Sequence, residues 1–95
     1  MAKSEKILTL HPEGKNGVNI DVEKYNTLKN YILMALKERG DIAFSHLFEE
    51  AKNELQPSFE GKVGWYFVSV KLDLEARGII ERISNKSPQV IRLKK

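Results

Sequence analysis

The strongest hydrophobic periodicity lies in the last third of the chain. At about 100° per residue, four apolar residues fall within one narrow arc of a helix: Val63, Phe67, Val70 and Leu74. Tyr66 lies at the edge of that arc. The spacing predicts a helix over residues 62–77 with one buried face. Gly78 is expected to end this helix, because glycine readily adopts the left-handed conformation that closes a helix.

Beyond Gly78 the hydrophobic pattern changes to a period of two. Apolar and polar residues alternate over residues 78–84 and again over 89–94, with turn-forming residues at 85–88 between them. Two strands alone are only marginally stable. We predict that the segment 41–44, which reads Asp-Ile-Ala-Phe, is a third short strand that completes a small sheet.

Two further helices are predicted upstream. The first begins after Asp21, whose carboxylate is expected to cap it, and ends near Gly40. Its apolar stripe is Tyr25, Leu28, Ile32, Ala35 and Leu36. Three apolar residues lie off this stripe and either widen the core or form a second contact surface: Tyr31, Leu33 and Met34. The second helix is expected to be capped by Ser45 and to end before Pro57, with an inner face of Leu47, Phe48, Ala51 and Leu55.

Residues 1–20 are predicted to form an N-terminal arm, with the folded domain over residues 21–95. Residues 6–10 alternate like a strand, residues 11–17 are rich in turn formers, and residues 18–20 are a second short extended piece. Three placements of the arm fit this pattern. It packs on its own domain, crosses to a second subunit, or lies along a nucleic-acid backbone.

The composition narrows the class of protein. With 95 residues, 41% of them hydrophobic and 31% charged, the chain is expected to fold as one domain. It has no cysteine, which excludes a disulfide framework and predicts a reducing, cytoplasmic location. No apolar run approaches the roughly 20 residues that cross a bilayer. The polar start of the chain predicts no signal peptide.

Catalytic chemistry has little support in the sequence. His11 and His46 are the only histidines, and neither has neighbours at metal-ligand spacing. The glycines are scattered without a phosphate-binding pattern, and there is no Walker lysine. We therefore expect neither an enzyme nor a bound metal or cofactor.

The end of the third helix carries a family resemblance. In the run over residues 70–82, Leu74 stands four residues before Gly78, which is followed by two aliphatic residues, an acidic residue and Arg82. This run resembles the recognition helix and first wing strand of bacterial winged-helix regulators. The resemblance spans about residues 21–95. It implies a winged helix-turn-helix, an α+β fold of three helices and a small antiparallel sheet that ends in a β-hairpin wing.

More narrowly, residues 65–78 together with Tyr25 resemble a small bacterial winged-helix family with no assigned function. In winged-helix regulators the third helix enters the DNA major groove and the wing lies against the backbone. By position, the helix residues facing DNA are Lys62, Gly64, Trp65, Val68, Ser69 and Leu72. The implied phosphate contacts are Arg82, Lys86, Arg92, Lys94 and Lys95. The resemblance thus implies a DNA-binding transcriptional regulator, dimeric and with double-stranded DNA as its partner. The net charge of +3 is compatible with nucleic acid but does not require it.

The chemistry of the same helix face favours a different partner. Trp65, Val68 and Leu72 lie opposite the core arc and form a second apolar stripe on the side that should face water. Asp73 and Glu75 are expected to flank this stripe, where they would repel phosphates. The alternative function is therefore a protein-interaction or dimerisation module, in which Trp65, Val68 and Leu72 contact the arm, a second copy or another protein.

Overall fold

A computed structural model describes residues 5–14, 17–83 and 89–94. Within these ranges the fold is α+β, with three α-helices and two small antiparallel sheets. The helices are α1 (Val22–Arg39), α2 (Phe44–Leu55) and α3 (Val63–Ala76). The strands are β1 (Lys6–Leu8), β2 (Asn19–Asp21), β3 (Ile42–Ala43), β4 (Ile80–Ile83) and β5 (Val90–Leu93). The general fold class agrees with the prediction.

The three-stranded sheet has the spatial order β3-β5-β4, with every pair antiparallel. The predicted third strand is present, but it is only two residues long. Ile42 of β3 pairs with Ile91 of β5, and β5 pairs with β4 along its other edge. Ile42, Ile80 and Ile91 are buried, so one face of this sheet closes the core beneath the helices.

The predicted core arc of α3 is confirmed, because Val63, Phe67, Val70 and Leu74 are all fully buried. Phe67 packs its ring against two aromatic rings from α2, with centroid distances of 5.7 Å to both Phe44 and Phe48. Gly78 follows the helix with φ of 76°, as the prediction of a left-handed closing residue requires. Aromatic packing and aliphatic burial together fix the rotation of α3 about its own axis.

Both predicted helix caps differ from the structure in detail. Asp21 occupies the N-cap position of α1 but makes no capping hydrogen bond through its side chain. The prediction that Ser45 caps α2 is wrong, since α2 already begins at Phe44 and Ala43 precedes it. The Phe44 N–H donates to the carbonyl of Gln89, so sheet pairing and ring packing start the helix earlier than capping propensity indicated.

The connection between α2 and α3 is held by one side chain. Gln56 Nε2 donates to the carbonyl of Gly61 at 2.7 Å, and Gln56 Oε1 accepts from the N–H of Val63 at 3.0 Å. The second bond satisfies one of the free amide groups at the start of α3. This arrangement fixes where α3 begins, and therefore where its first exposed residue, Trp65, lies.

The N-terminal residues form a β-hairpin on the same domain. Ile7 pairs with Ile20 across β1 and β2, and Ile20 is buried in the common core. The hydroxyl of Thr9 bonds to both the carbonyl and the N–H of Val18. A Cβ atom at Gly17 would overlap the carbonyl of Thr9, so only glycine allows this close approach. Of the three placements of the arm, its described part adopts the first.

Candidate functional site

The side of α3 that faces away from the core is the candidate site. We call Trp65, Val68, Ser69 and Leu72 the outer face of α3. Trp65 is 51% exposed and Val68 is 37% exposed, whereas Ser69 and Leu72 are half-buried. The structure therefore places the predicted stripe on one face, and its two ends differ in how far they are covered.

The N-terminal hairpin covers the C-terminal half of the outer face. Residues from the hairpin and from α3 enclose a cavity of about 110 Å³, lined by Thr9, Leu10, His11, Gly17, Val18, Ser69 and Leu72. Leu10 itself stays 42% exposed and extends the apolar surface beyond α3. The prediction that the arm packs against this stripe holds for Leu72 and does not hold for Trp65.

The prediction that Asp73 flanks the exposed stripe is wrong. Asp73 is fully buried and accepts hydrogen bonds from the N–H of Leu10 at 2.8 Å and from Arg77 Nε at 2.8 and 3.0 Å. The hydroxyl of Tyr25 donates to its other side. Burial and this hydrogen bond to Asp73 raise the pKa of Tyr25 to about 12. Arg77 balances the charge of the Asp73 carboxylate. The hydrogen bonds of this carboxylate also connect the hairpin, α1 and α3.

Glu75 is also paired rather than free on the outer face. Its Oε2 lies 2.7 Å from Lys71 Nζ, and both side chains are largely buried. The same Lys71 ammonium lies 4.9 Å from the ring centroid of Phe44, where the negative face of an aromatic ring favours a cation. Neither carboxylate of the second half of α3 thus projects unpaired toward a partner.

The N-terminal half of α3 carries an aromatic cluster, defined here as Phe59, Trp65 and Tyr66. The Tyr66 ring lies 4.9 Å from that of Trp65, perpendicular to it, and 5.3 Å from that of Phe59. Lys24 of α1 places its Nζ 4.9 Å from the Tyr66 centroid. Gly61 permits this packing, because a Cβ there would come within 2.9 Å of Tyr66. The cluster packs against one side of Trp65 and leaves about half of this residue exposed.

The other predicted DNA contacts lie on separate elements. Lys62 is exposed immediately before α3, Arg82 is exposed on β4, and Lys94 is exposed just after β5. Arg92 on β5 donates through Nε to Glu81 at 2.7 Å. Lys86 and Lys95 lie outside the described residues.

The strand register separates the cations of β4 and β5 into two groups. Arg82 pairs with Ile91 across β4 and β5, so its Cβ lies on the face of the hairpin opposite to that of Arg92. Lys94, two residues after Arg92, shares the Arg92 face. One side of the hairpin therefore carries Arg92 and Lys94, and the other carries Arg82.

A separate groove of about 510 Å³ lies between α1 and α2. The Tyr31 hydroxyl donates to Glu54 at 3.1 Å, and Arg39 makes two hydrogen bonds to Glu50. Burial and Glu54 raise the pKa of Tyr31 to about 12, and the hydrogen bond from Arg39 lowers the pKa of Glu50. None of the predicted site residues lines this groove. Of the three apolar residues off the α1 stripe, which the sequence marked as a possible second contact surface, Tyr31 and Met34 line this groove.

The described residues form neither a metal site nor a membrane-spanning helix. No three histidine or acidic side chains in residues 5–14, 17–83 and 89–94 come together in a way that would hold a metal ion. None of the helices in the same part of the chain combines the length and the apolar character needed to cross a bilayer.

Comparison with known proteins gives one family. The sequence profile of the family of unknown function DUF6958 matches residues 6–91. The chain therefore belongs to that family. The match extends over β1 and β2 as well as the three helices, so the hairpin that covers Leu72 is part of the family's domain. No curated protein and no solved structure is significantly similar to the chain.

Proposed function

We propose that this protein is a cytoplasmic winged-helix DNA-binding protein that acts as a transcriptional regulator, with α3 and the β4–β5 hairpin as its DNA-facing elements. The element order from α1 onward is helix, strand, helix, helix, strand, strand, and the central strand of the sheet is the last one. This order, with a C-terminal hairpin beside α3, supports the winged-helix assignment. Fold alone does not determine function, so the chemistry of α3 decides the rest.

The observation that carries the proposal is the inward position of the α3 carboxylates. Asp73 is buried against Arg77, and Glu75 is paired with Lys71. A DNA duplex carries one negative charge per about 1.7 Å, so unpaired carboxylates on this face would oppose binding. With both paired, the outer face of α3 is electrically neutral, and the exposed Lys62 adds a positive charge at its start.

Sequence-specific recognition of base pairs by the outer face of α3 is expected to be weak. Base edges in the major groove are read mainly by Arg, Lys, Asn and Gln side chains, and the outer face of α3 carries none of these. The Ser69 hydroxyl already donates to the carbonyl of Trp65 at 3.1 Å. Affinity for a duplex is therefore expected to come mostly from phosphate contacts by Lys62 and the wing cations.

Fluorescence anisotropy of a labelled mixed-sequence duplex tests this proposal. We expect affinity that falls with salt, with log affinity decreasing by about 0.9 per neutralised phosphate for each tenfold rise in salt. Arg92→Ala should lower affinity for every sequence alike and reduce this slope by about one phosphate. Arg39→Ala is the matched control. Arg39 is also an exposed arginine paired with a glutamate at 2.7 Å, but it lies in the groove between α1 and α2. Equal affinities of the two variants would contradict the wing contact.

A second candidate function, association with another protein or with a second copy as a homodimer, is favoured by the exposed apolar side chains. Trp65 and Val68 are exposed on the outer face of α3, and Leu10 is exposed on the hairpin beside Ser69 and Leu72; exposed apolar side chains of this kind often mark interaction sites. If the protein associates with a second copy of itself, light scattering gives the wild type the mass of a dimer, and Trp65→Ala shifts that mass to a monomer. Met34→Ala, which truncates an exposed apolar residue on α1, should leave the mass unchanged. A monomeric wild type at high concentration would contradict self-association.

A further inference from the structure

The aromatic cluster at the start of α3 is not used by the phosphate contacts proposed above. Trp65 is half exposed, and its ring contacts the perpendicular Tyr66 ring at 4.9 Å, which in turn contacts Phe59. A surface tryptophan packed against a neighbouring ring loses less conformational freedom than an unsupported one when a flat ligand stacks on it. Phe59 and Tyr66 pack against the core, so the cluster connects the exposed indole to the core.

Two lysines lie near the aromatic cluster. Lys62 is exposed and is the last residue before α3, three positions before Trp65 in sequence. Lys24 Nζ lies 4.9 Å from the Tyr66 centroid and 5.7 Å from that of Phe59. Glu60, on the preceding connection, is also exposed and lowers the net positive charge of this region. An accessible aromatic ring with cations nearby is the chemistry that binds the bases and phosphates of a single strand.

We infer that the N-terminal half of α3 binds an unpaired base of a DNA strand, which stacks on Trp65 while Lys62 and Lys24 neutralise the flanking phosphates. The inference rests on the proposed DNA-binding function. It adds that this face of α3 binds DNA with an unpaired base. Inside a duplex only the base edges are accessible, and the outer face of α3 offers them apolar groups and a Ser69 hydroxyl already bonded to backbone. An unpaired base presents its flat face, which stacks on an indole whatever its sequence.

The chain provides its own reporter, because Trp65 is its only tryptophan. The protein is titrated with three DNAs of one sequence: a perfect duplex, the same duplex with a single-stranded extension of about six nucleotides, and the isolated strand. Tryptophan fluorescence reports stacking, and anisotropy of labelled DNA reports binding in parallel. We expect saturable quenching by the extended duplex and by the single strand, with the perfect duplex leaving the fluorescence nearly unchanged.

Substitutions at Trp65 separate stacking from general charge attraction. Trp65→Ala should weaken binding of the single strand by roughly 5- to 150-fold, the range measured for loss of one base stack, whereas Trp65→Phe should retain most of the affinity. Lys62→Ala should reduce the salt slope by about 0.7, the value for one phosphate of a single strand. Met34→Ala, which truncates an exposed apolar side chain on α1, should match the wild type.

Each outcome has a separate meaning. Quenching by unpaired DNA together with loss of affinity in Trp65→Ala supports the inference. Duplex binding without quenching, or single-strand affinity that is equal in Trp65→Ala and wild type, overturns the inference and leaves the proposed DNA-binding function standing. Absence of binding to all three DNAs at low salt overturns both.

Discussion

Asp73→Ala is expected to destabilise the fold by about 2 to 4 kcal/mol, because it removes the shared acceptor of several hydrogen bonds and leaves a buried donor unsatisfied. The carboxylate is fully buried and accepts hydrogen bonds from Tyr25, Leu10 and Arg77. Its removal leaves the buried Tyr25 hydroxyl without an acceptor and also removes the acceptor of the partly buried Leu10 N–H. It also leaves the Arg77 guanidinium without its anion.

Urea unfolding followed by circular dichroism measures this effect. Asp41→Ala is the matched control, because Asp41 is exposed on the bend before β3 and should change stability by less than about 0.5 kcal/mol. Asp73→Asn should fall between the two, since an amide retains an acceptor oxygen but loses the charge. A wild-type midpoint for Asp73→Ala would mean that the hairpin is held on α3 by the burial of Ile7 and Ile20 alone.

Much of the fold could be predicted from the sequence because it depends on apolar spacing. The buried residues of α3 from Val63 to Leu74 recur at three- and four-residue steps, and apolar and polar residues alternate with a period of two along β4 and β5. Both patterns arise from the geometry of one element. Pairing of β3 with β5 was less certain, because a two-residue strand carries almost no pattern of its own and depends on a partner nearly fifty residues away.

The buried polar network could not be predicted in the same way. Periodicity treats Lys71 and Asp73 as polar residues and assigns them to the surface. Each has an opposite charge four residues later, in Glu75 and Arg77, which signals a pair but not its burial. Burial of Asp73 depends on Tyr25, 48 positions away, and on the backbone of the hairpin. Such contacts between distant segments leave no local trace in one sequence.

The candidate site was predicted in part. Spacing correctly placed Trp65, Val68 and Leu72 on one face of α3, because that placement needs only the helix itself. It could not show that the hairpin would reach Leu72 and stop short of Trp65. That difference depends on the length of β1 and on the bond from the Leu10 N–H to Asp73, which fixes where the hairpin crosses α3. The accessible part of the site is thus set by residues far from it in sequence.

Leu74→Ala is expected to cost about 2 to 5 kcal/mol, because it removes a fully buried side chain and leaves a cavity that the packed core fills only partly. Leu8→Ala makes the same chemical change at a side chain that is 57% exposed, and it should cost little. Denaturant unfolding of both variants and of the wild type measures these losses of stability. The midpoints are compared when the dependence of the unfolding free energy on denaturant is the same in all three proteins. Nearly equal midpoints would contradict the assigned rotation of α3.

This comparison also bears on the candidate site. Trp65 and Leu74 are nine residues apart, which at about 100° per residue places them on opposite sides of α3. A rotation that exposed Leu74 would therefore turn Trp65 into the core and remove the surface on which both DNA and protein contacts are proposed. A large loss of stability for Leu74→Ala beside a small one for Leu8→Ala would thus establish in solution that the indole of Trp65 faces outward, before any partner is added.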